Sequence, residues 1–216
     1  MSSSLESVGA KPQAAVTLAR MIGLFILFGI ALAVLVAILT TMLAWDIRHP
    51  PRHTAGWAIA RGLPCDPGDL GMRFEEWTLD RPDGVSLPVW EICGQESGIR
   101  DQDRVTAIFV HGWGHSRIDV LQRVATFMPL VDRIVLFDLR GHGDAVGGTC
   151  TLGDREVADL MALMDRLGEG RMLLVGHSMG AVIALAAAVE SKVMDSRMAG
   201  IIAYGPYMEF HRSLIG

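Results

Sequence analysis

The sequence predicts an α/β fold, a mostly parallel sheet with helices on both faces, preceded by one transmembrane helix. Three observations carry this. From residue 105 onward, apolar runs of four to six residues alternate with stretches of helical periodicity, the pattern of buried parallel strands joined by crossover helices. Three of these runs end in glycine-rich turns: His111-Gly112-Trp113-Gly114, Asp138-Leu139-Arg140-Gly141-His142-Gly143 and Gly176-His177-Ser178-Met179-Gly180. Upstream, Met21 to Trp45 runs 25 residues without a charge.

Composition bounds the function. The chain has 216 residues, half of them hydrophobic, and a net charge of -5. One domain and a short extra segment fit that length. Mild acidity without a basic stripe argues against a nucleic-acid partner. Cys65, Cys93 and Cys150 are widely spaced and contain no C-x-x-C pair, so they suggest neither zinc nor a disulfide framework. The sequence implies no cofactor and no metal.

Residues 1–20 are small and polar, and disorder is expected there. As a helix, residues 21–45 would be about 37 Å long, enough to cross a hydrocarbon core of about 30 Å with some tilt. Trp45, and Trp57 beyond it, suit the headgroup level. The apolar region of a cleaved signal peptide is about 7–15 residues long. This run is longer, and a small-residue site at Ala58-Ile59-Ala60 lies too far past it, so an anchor is expected. Lys11 and Arg20 before the run and Arg48, Arg52 and Arg61 after it leave the orientation undetermined. Residues 46–71, with Pro50-Pro51, Pro64 and Pro67-Gly68, read as a linker. His49 and His53 read as solvated, because the prolines between them oppose a helical metal face.

The main domain is expected over residues 72–216. Glu75 to Leu79 and Val85 to Cys93 flank the turn Arg81-Pro82-Asp83-Gly84, and Pro88 places that pair near a sheet edge. Val105 to Val110 is the next strand, and Val120, Leu121, Val124, Phe127 and Met128 recur at helical spacing after it. Arg133 to Phe137 follows. Thr151 and Asp154 resemble a capping box ahead of a helix with the apolar stripe Val157, Leu160, Met161, Met164 and Leu167. Met172 to Val175, an Ala-rich helix from Met179 to Glu190, and a strand from Ala199 to Tyr204 complete the order.

The third turn carries chemistry. A serine hydroxyl is a weak nucleophile and must be lifted clear of the backbone to meet a base and a substrate. A sharp turn between strand and helix does this, at the cost of backbone strain. Bulk at positions 176 and 180 would strike the neighbouring strand or helix. The turn also leaves the Met179 amide at a helix N-terminus, free to donate to an oxyanion.

Taken together, the three turns resemble the α/β-hydrolase family over residues 72–216. The resemblance implies Ser178 as nucleophile and the backbone amides of Trp113 and Met179 as the oxyanion hole. Serine at 178 speaks against the dehalogenase and epoxide-hydrolase branches, which carry aspartate there. It gives His111 and His142 loop-shaping roles, and Asp138 the role of bracing the Arg140-Gly141 loop. The family's order is nucleophile, acid, histidine, yet the 38 residues after Ser178 hold only Glu190, Asp195, Glu209 and His211 as candidates. None matches in position, so the acid and base are expected beyond residue 216. The implied function is a membrane-anchored serine hydrolase of an ester, thioester or amide, with a small-molecule or lipid-like acyl substrate. A non-catalytic membrane-tethered binding or scaffold domain, or an acyltransferase, is the alternative.

Overall fold

Leucine, isoleucine, valine and alanine fill the N-terminal stretch, and it forms one continuous helix, α1 (Ala10–Arg48). The computed structural model describes residues 10–93, 104–190 and 197–206, and the chain divides into two units, Met1–Asp46 and Ile47–Gly216. By length and composition α1 can cross a membrane: Gln13–Arg48 has a mean hydropathy of 3.1 in its most apolar window, none of which is buried. Thr40 and Thr41 return their hydroxyls to the carbonyls of Val36 and Ala37, so they place no unpaired donor on this surface. The helix corrects the expectation of disorder over residues 1–20 in its second half: residues 10–20 are helical. Their alanines, Gln13, Leu18 and Arg20 are strong helix formers, and Pro12 falls in the first turn, where its missing N–H leaves no bond unmade.

The second unit opens with a correction to the linker reading of residues 46–71. That segment contains helix α2 (Ala55–Ile59), capped by Thr54, and a 3₁₀ turn, Pro67–Leu70, capped by Asp66. Ala58 is completely buried. The prolines shape the segment without detaching it from the domain.

The elements that follow are β1 (Phe74–Asp80), β2 (Ser86–Cys93), β3 (Val105–Val110), α3 (Arg117–Phe127), β4 (Arg133–Phe137), α4 (Glu156–Arg166), β5 (Arg171–His177), α5 (Met179–Glu190) and β6 (Met198–Tyr204). The strands form one six-stranded sheet in the order β1-β2-β4-β3-β5-β6. β1 and β2 pair antiparallel, as do β2 and β4, while β3/β4, β3/β5 and β5/β6 are parallel. This is the expected α/β architecture, with the two antiparallel pairings confined to the N-terminal side.

Alternation along the strands builds two cores. Ala107 and Phe109 of β3 face α3, where Ile118, Leu121 and Val124 meet Ile134 and Leu136 of β4. Ile108 and Val110 face the other way, toward Leu160 and Leu163 of α4 and Ile183, Ala184 and Ala187 of α5. Burying each large side chain in these layers stabilises the fold by about 1.5–3 kcal/mol.

The head of α4 differs from the expected capping box. The Asp154 carboxylate is not the partner of Thr151; only its amide is, donating to Thr151 O at 3.3 Å. Glu156, fully buried, accepts from Thr151 N at 2.7 Å, Thr151 Oγ1 at 2.5 Å and Gly153 N at 2.8 Å, while Thr151 Oγ1 accepts from Arg155 N at 3.0 Å. A carboxylate at the first helical position satisfies the loop's orphan donors and also meets the positive end of the helix dipole.

Candidate active site

The sheet places three loops at the carboxyl ends of adjacent strands β4, β3 and β5, where open α/β sheets put their sites. Ser178 sits between β5 and α5. Its φ is 51°, a left-handed value that a non-glycine residue holds only under constraint. The constraint is visible: the Ser178 amide donates to Tyr204 O of β6 at 3.0 Å, and its carbonyl accepts from Ala181 and Val182 in the first turn of α5. The two flanking glycines are required by close approach. A Cβ on Gly176 would lie 2.5 Å from Ala181 Cα, and one on Gly180 would lie 2.1 Å from Val110 O and 2.5 Å from His111 O. Gly176 thus admits the helix, and Gly180 admits the end of β3. Ser178 is half-buried, and among the described residues its hydroxyl has no hydrogen-bond partner.

The loop after β3 is held by His111. This buried ring accepts from Leu139 N through Nε2 at 3.0 Å and donates through Nδ1 to Gly112 O at 2.9 Å. Those two bonds specify a neutral imidazole, and burial holds its pKa well below the usual 6.5. The ring ties the β3 loop to the β4 loop; it is not aimed at Ser178. Gly112 then lies against the elbow: a Cβ there would meet His177 Nδ1 at 3.2 Å and Ser178 Cβ at 3.3 Å. Trp113, the next residue, is 41% exposed, and its indole donates to Ile47 O at 2.9 Å. Met179, first residue of α5, is buried. Among the described residues neither the Trp113 nor the Met179 amide donates to a protein acceptor, which leaves both free for a ligand.

The β4 loop is braced from within. Asp138, fully buried, accepts from Arg117 N at 2.8 Å and Asp144 N at 2.9 Å. Burial raises its pKa to about 6 against the pull of Arg117. Asp138 therefore joins the start of α3 to the Asp144 turn. His142 bonds the Arg140 carbonyl through Nδ1 at 3.0 Å and packs edge-on to His111 at 5.2 Å. Arg140 leaves the loop on the other side, forming two bonds to buried Asp159 and one to Asp83.

A cavity of about 140 Å³ adjoins the elbow, lined by Phe109, Val120 and Val175 and by His115, His177 and Tyr204. The rings stack in series: His115 on His177 at 5.7 Å, and His177 on Tyr204 at 4.9 Å. His53 joins them. It lies 6.0 Å from His115, stacks on Trp57 at 3.8 Å, and places Nδ1 2.9 Å from the Asp119 carboxylate. This corrects the reading of His53 as a solvated linker residue. Arg52 beside it donates to the carbonyls of Gly143 and Ala145. The segment from Ile47 to Trp57 therefore runs along the loops after β3 and β4. Only tertiary proximity reveals this; no spacing in the sequence signals it.

The described structure thus brings together Ser178, Met179 and the loop carrying Trp113, but adds no acid or base at Ser178. Asp195, Glu209 and His211 lie outside the described residues. For a metal, among the described residues the group Cys65, Asp66 and Asp69 has ligand atoms within 4.8 Å of one another. There the Cys65 thiol donates to Asp69 at 3.1 Å, a bond that raises its pKa, and a retained proton disfavours ligation.

A sequence model of the alpha/beta hydrolase family matches residues 107–214. No curated protein matches. Among solved structures, an esterase of Pyrococcus furiosus superposes with a TM-score of 0.60 at 25% identity, over 76% of this chain and 60% of its own. A second crystal form of that esterase gives 0.58 at 25% identity, over 74% and 58%. An epoxide hydrolase variant of Vigna radiata shares 25% identity over 60% of this chain and 37% of its own, with a TM-score of 0.47, too low for any argument. The chain spans about three fifths of the length of the esterase structures it matches.

Proposed function

This chain belongs to the alpha/beta hydrolase family, and from that premise we propose that it is a membrane-anchored serine hydrolase working through an acyl-enzyme on Ser178. One observation carries the reading: Ser178 is held at φ 51° between β5 and α5, with the backbone of the β3 loop packed against it. Its resemblance in fold to an esterase supports acyl chemistry.

In this reading Ser178 Oγ attacks the acyl carbon of an ester, thioester or amide and gives its proton to a base that the family order puts after the elbow. The carbonyl oxygen takes up the charge and is received by the Trp113 and Met179 amides. One such donor is worth about 10²–10³ in rate. The intermediate collapses, the leaving group departs with a proton, and water then releases the acid and restores the Ser178 hydroxyl. α1 anchors the enzyme.

The test is hydrolysis of a p-nitrophenyl ester by protein in native membranes. Ser178→Ala should reduce activity to background, while Ser116→Ala, a change at a helix cap, should leave kcat within a few-fold. Equal activity of Ser178→Ala and the parent would refute the assignment.

A further inference from the structure

We propose, resting on the serine-hydrolase reading above, that the acyl substrate is an amphiphile resident in the bilayer and reaches Ser178 from the membrane surface.

The argument starts at one residue. Ile47 is the first residue of the second unit, and it also lies in the last turn of α1. Along the helix it stands two residues, about 3 Å, beyond Trp45. With Trp45 at the headgroup level, Ile47 is there too, whatever direction the helix takes. Within the second unit, Ile47 O accepts the Trp113 indole at 2.9 Å. Trp113 follows Gly112, on which a Cβ would meet Ser178 Cβ at 3.3 Å. One side chain, one peptide step and one close approach therefore separate the nucleophile from Ile47, a path on the order of 15 Å. The headgroup layer on each side of a bilayer is itself roughly 6 Å deep.

Two further observations agree. Cys150 N donates to Arg48 O at 3.0 Å, so the loop after β4 meets the same junction. On the loops after β3 and β4, Trp113, Val146 and Leu152 are 41%, 65% and 39% exposed. Large apolar side chains left exposed on loops that carry a site suit an apolar medium. The cavity beside the elbow, about 140 Å³ and lined by Gly112 and by His177, the residue before Ser178, is close to the size that takes one benzene ring. It holds the reacting end of an acyl group, and a longer tail stays in the lipid.

The test uses the full chain in phosphatidylcholine liposomes that contain a phospholipid with a diazirine near its ester carbonyl. Photolabel should map to peptides within residues 105–123 and 171–190. A flexible Gly/Ser spacer of about twenty residues between Asp46 and Ile47 adds roughly 25 Å of reach and should lower that labelling about five-fold through effective concentration. A water-soluble diazirine ester should label both forms equally, showing that the domain remains folded. Labelling by the lipid probe that ignores the spacer, or that is confined to α1, would overturn the inference. So would release of the protein by carbonate. Photolabelling does not need a reactive serine. A fluorophosphonate adduct on Ser178 without lipid labelling would sink this inference alone, whereas lipid labelling without the adduct would support membrane contact and sink Ser178 as nucleophile.

Discussion

Gly180→Ala sets two effects of opposite sign against each other. Gly180 is the second residue of α5, and replacing glycine by alanine in a helix favours folding by up to about 1 kcal/mol. Against this, the new methyl would sit 2.1 Å from Val110 O and 2.5 Å from His111 O. Ordinary contact requires more than 3 Å, so the end of β3 and the turn must separate by about 1 Å. Both atoms are backbone, Val110 at the end of a parallel ladder and His111 just after it, and neither can turn away as a side chain would. Overpacking costs typically 1–3 kcal/mol and occasionally more, and the rigid partner puts this case at the upper end. A net loss of about 2 kcal/mol should lower Tm by roughly 4–8 °C. Thermal unfolding of the full chain in detergent, followed by near-UV circular dichroism, measures it. Gly200→Ala is the control, because its methyl would meet only Leu173 Cδ1 at 3.6 Å; its Tm should move by a degree or two. If Gly180→Ala raises Tm, helix propensity has won and the packing of the elbow against β3 is misdescribed.

Other expectations follow from the buried charges. Asp159→Asn leaves Arg140 and Arg81 without the carboxylate that each bonds, and breaking a buried pair costs about 3–5 kcal/mol; a loss under 1 kcal/mol in urea unfolding would contradict that network. Acid should also destabilise the fold. Burial keeps His111 well below 6.5 and lowers His142, so below about pH 6.5 the unfolded chain binds protons that the folded chain refuses, and stability falls by up to about 1.4 kcal/mol per pH unit per ring. Asp138, raised from 3.8 to about 6, acts in the opposite sense between those values, because there the folded state holds the proton. The histidine contribution is isolated by His111→Asn, whose urea midpoint should change less between pH 7 and 5.5 than that of the parent; identical slopes would show that His111 does not titrate this way.

The legible parts of the fold were those written in contiguous residues. β3 and β4 match their apolar runs to the residue, because a strand buried on both faces has little choice of composition. The start of α3, at Arg117, does not show, since the recurring apolar residues read from the sequence begin only at Val120. The signal there is Ser116 with Asp119, a capping box in which Ile118 N donates to Ser116 Oγ and Ser116 N to Asp119. At α4 the two-residue spacing between Asp154 and Glu156 decided the outcome, and the carboxylate that could fold back into the loop won. At the site, Ser178 and its glycines were legible because one short turn must supply nucleophile, amide and clearance together. The segment around Arg52 and His53 was not. Its partners lie 66 to 93 residues away in sequence, and prolines that suggest a free linker equally suit an extended strap lying on loops.

The most direct measurement of the central claim is the site of covalent modification by a fluorophosphonate in native membranes. After tryptic digestion the adduct should fall on Ser178 in the peptide beginning at Met172, and it should vanish in Ser178→Ala with the protein still present in the membrane. An adduct on another residue, or none on Ser178 while other serine hydrolases in the same membranes are labelled, would contradict the account.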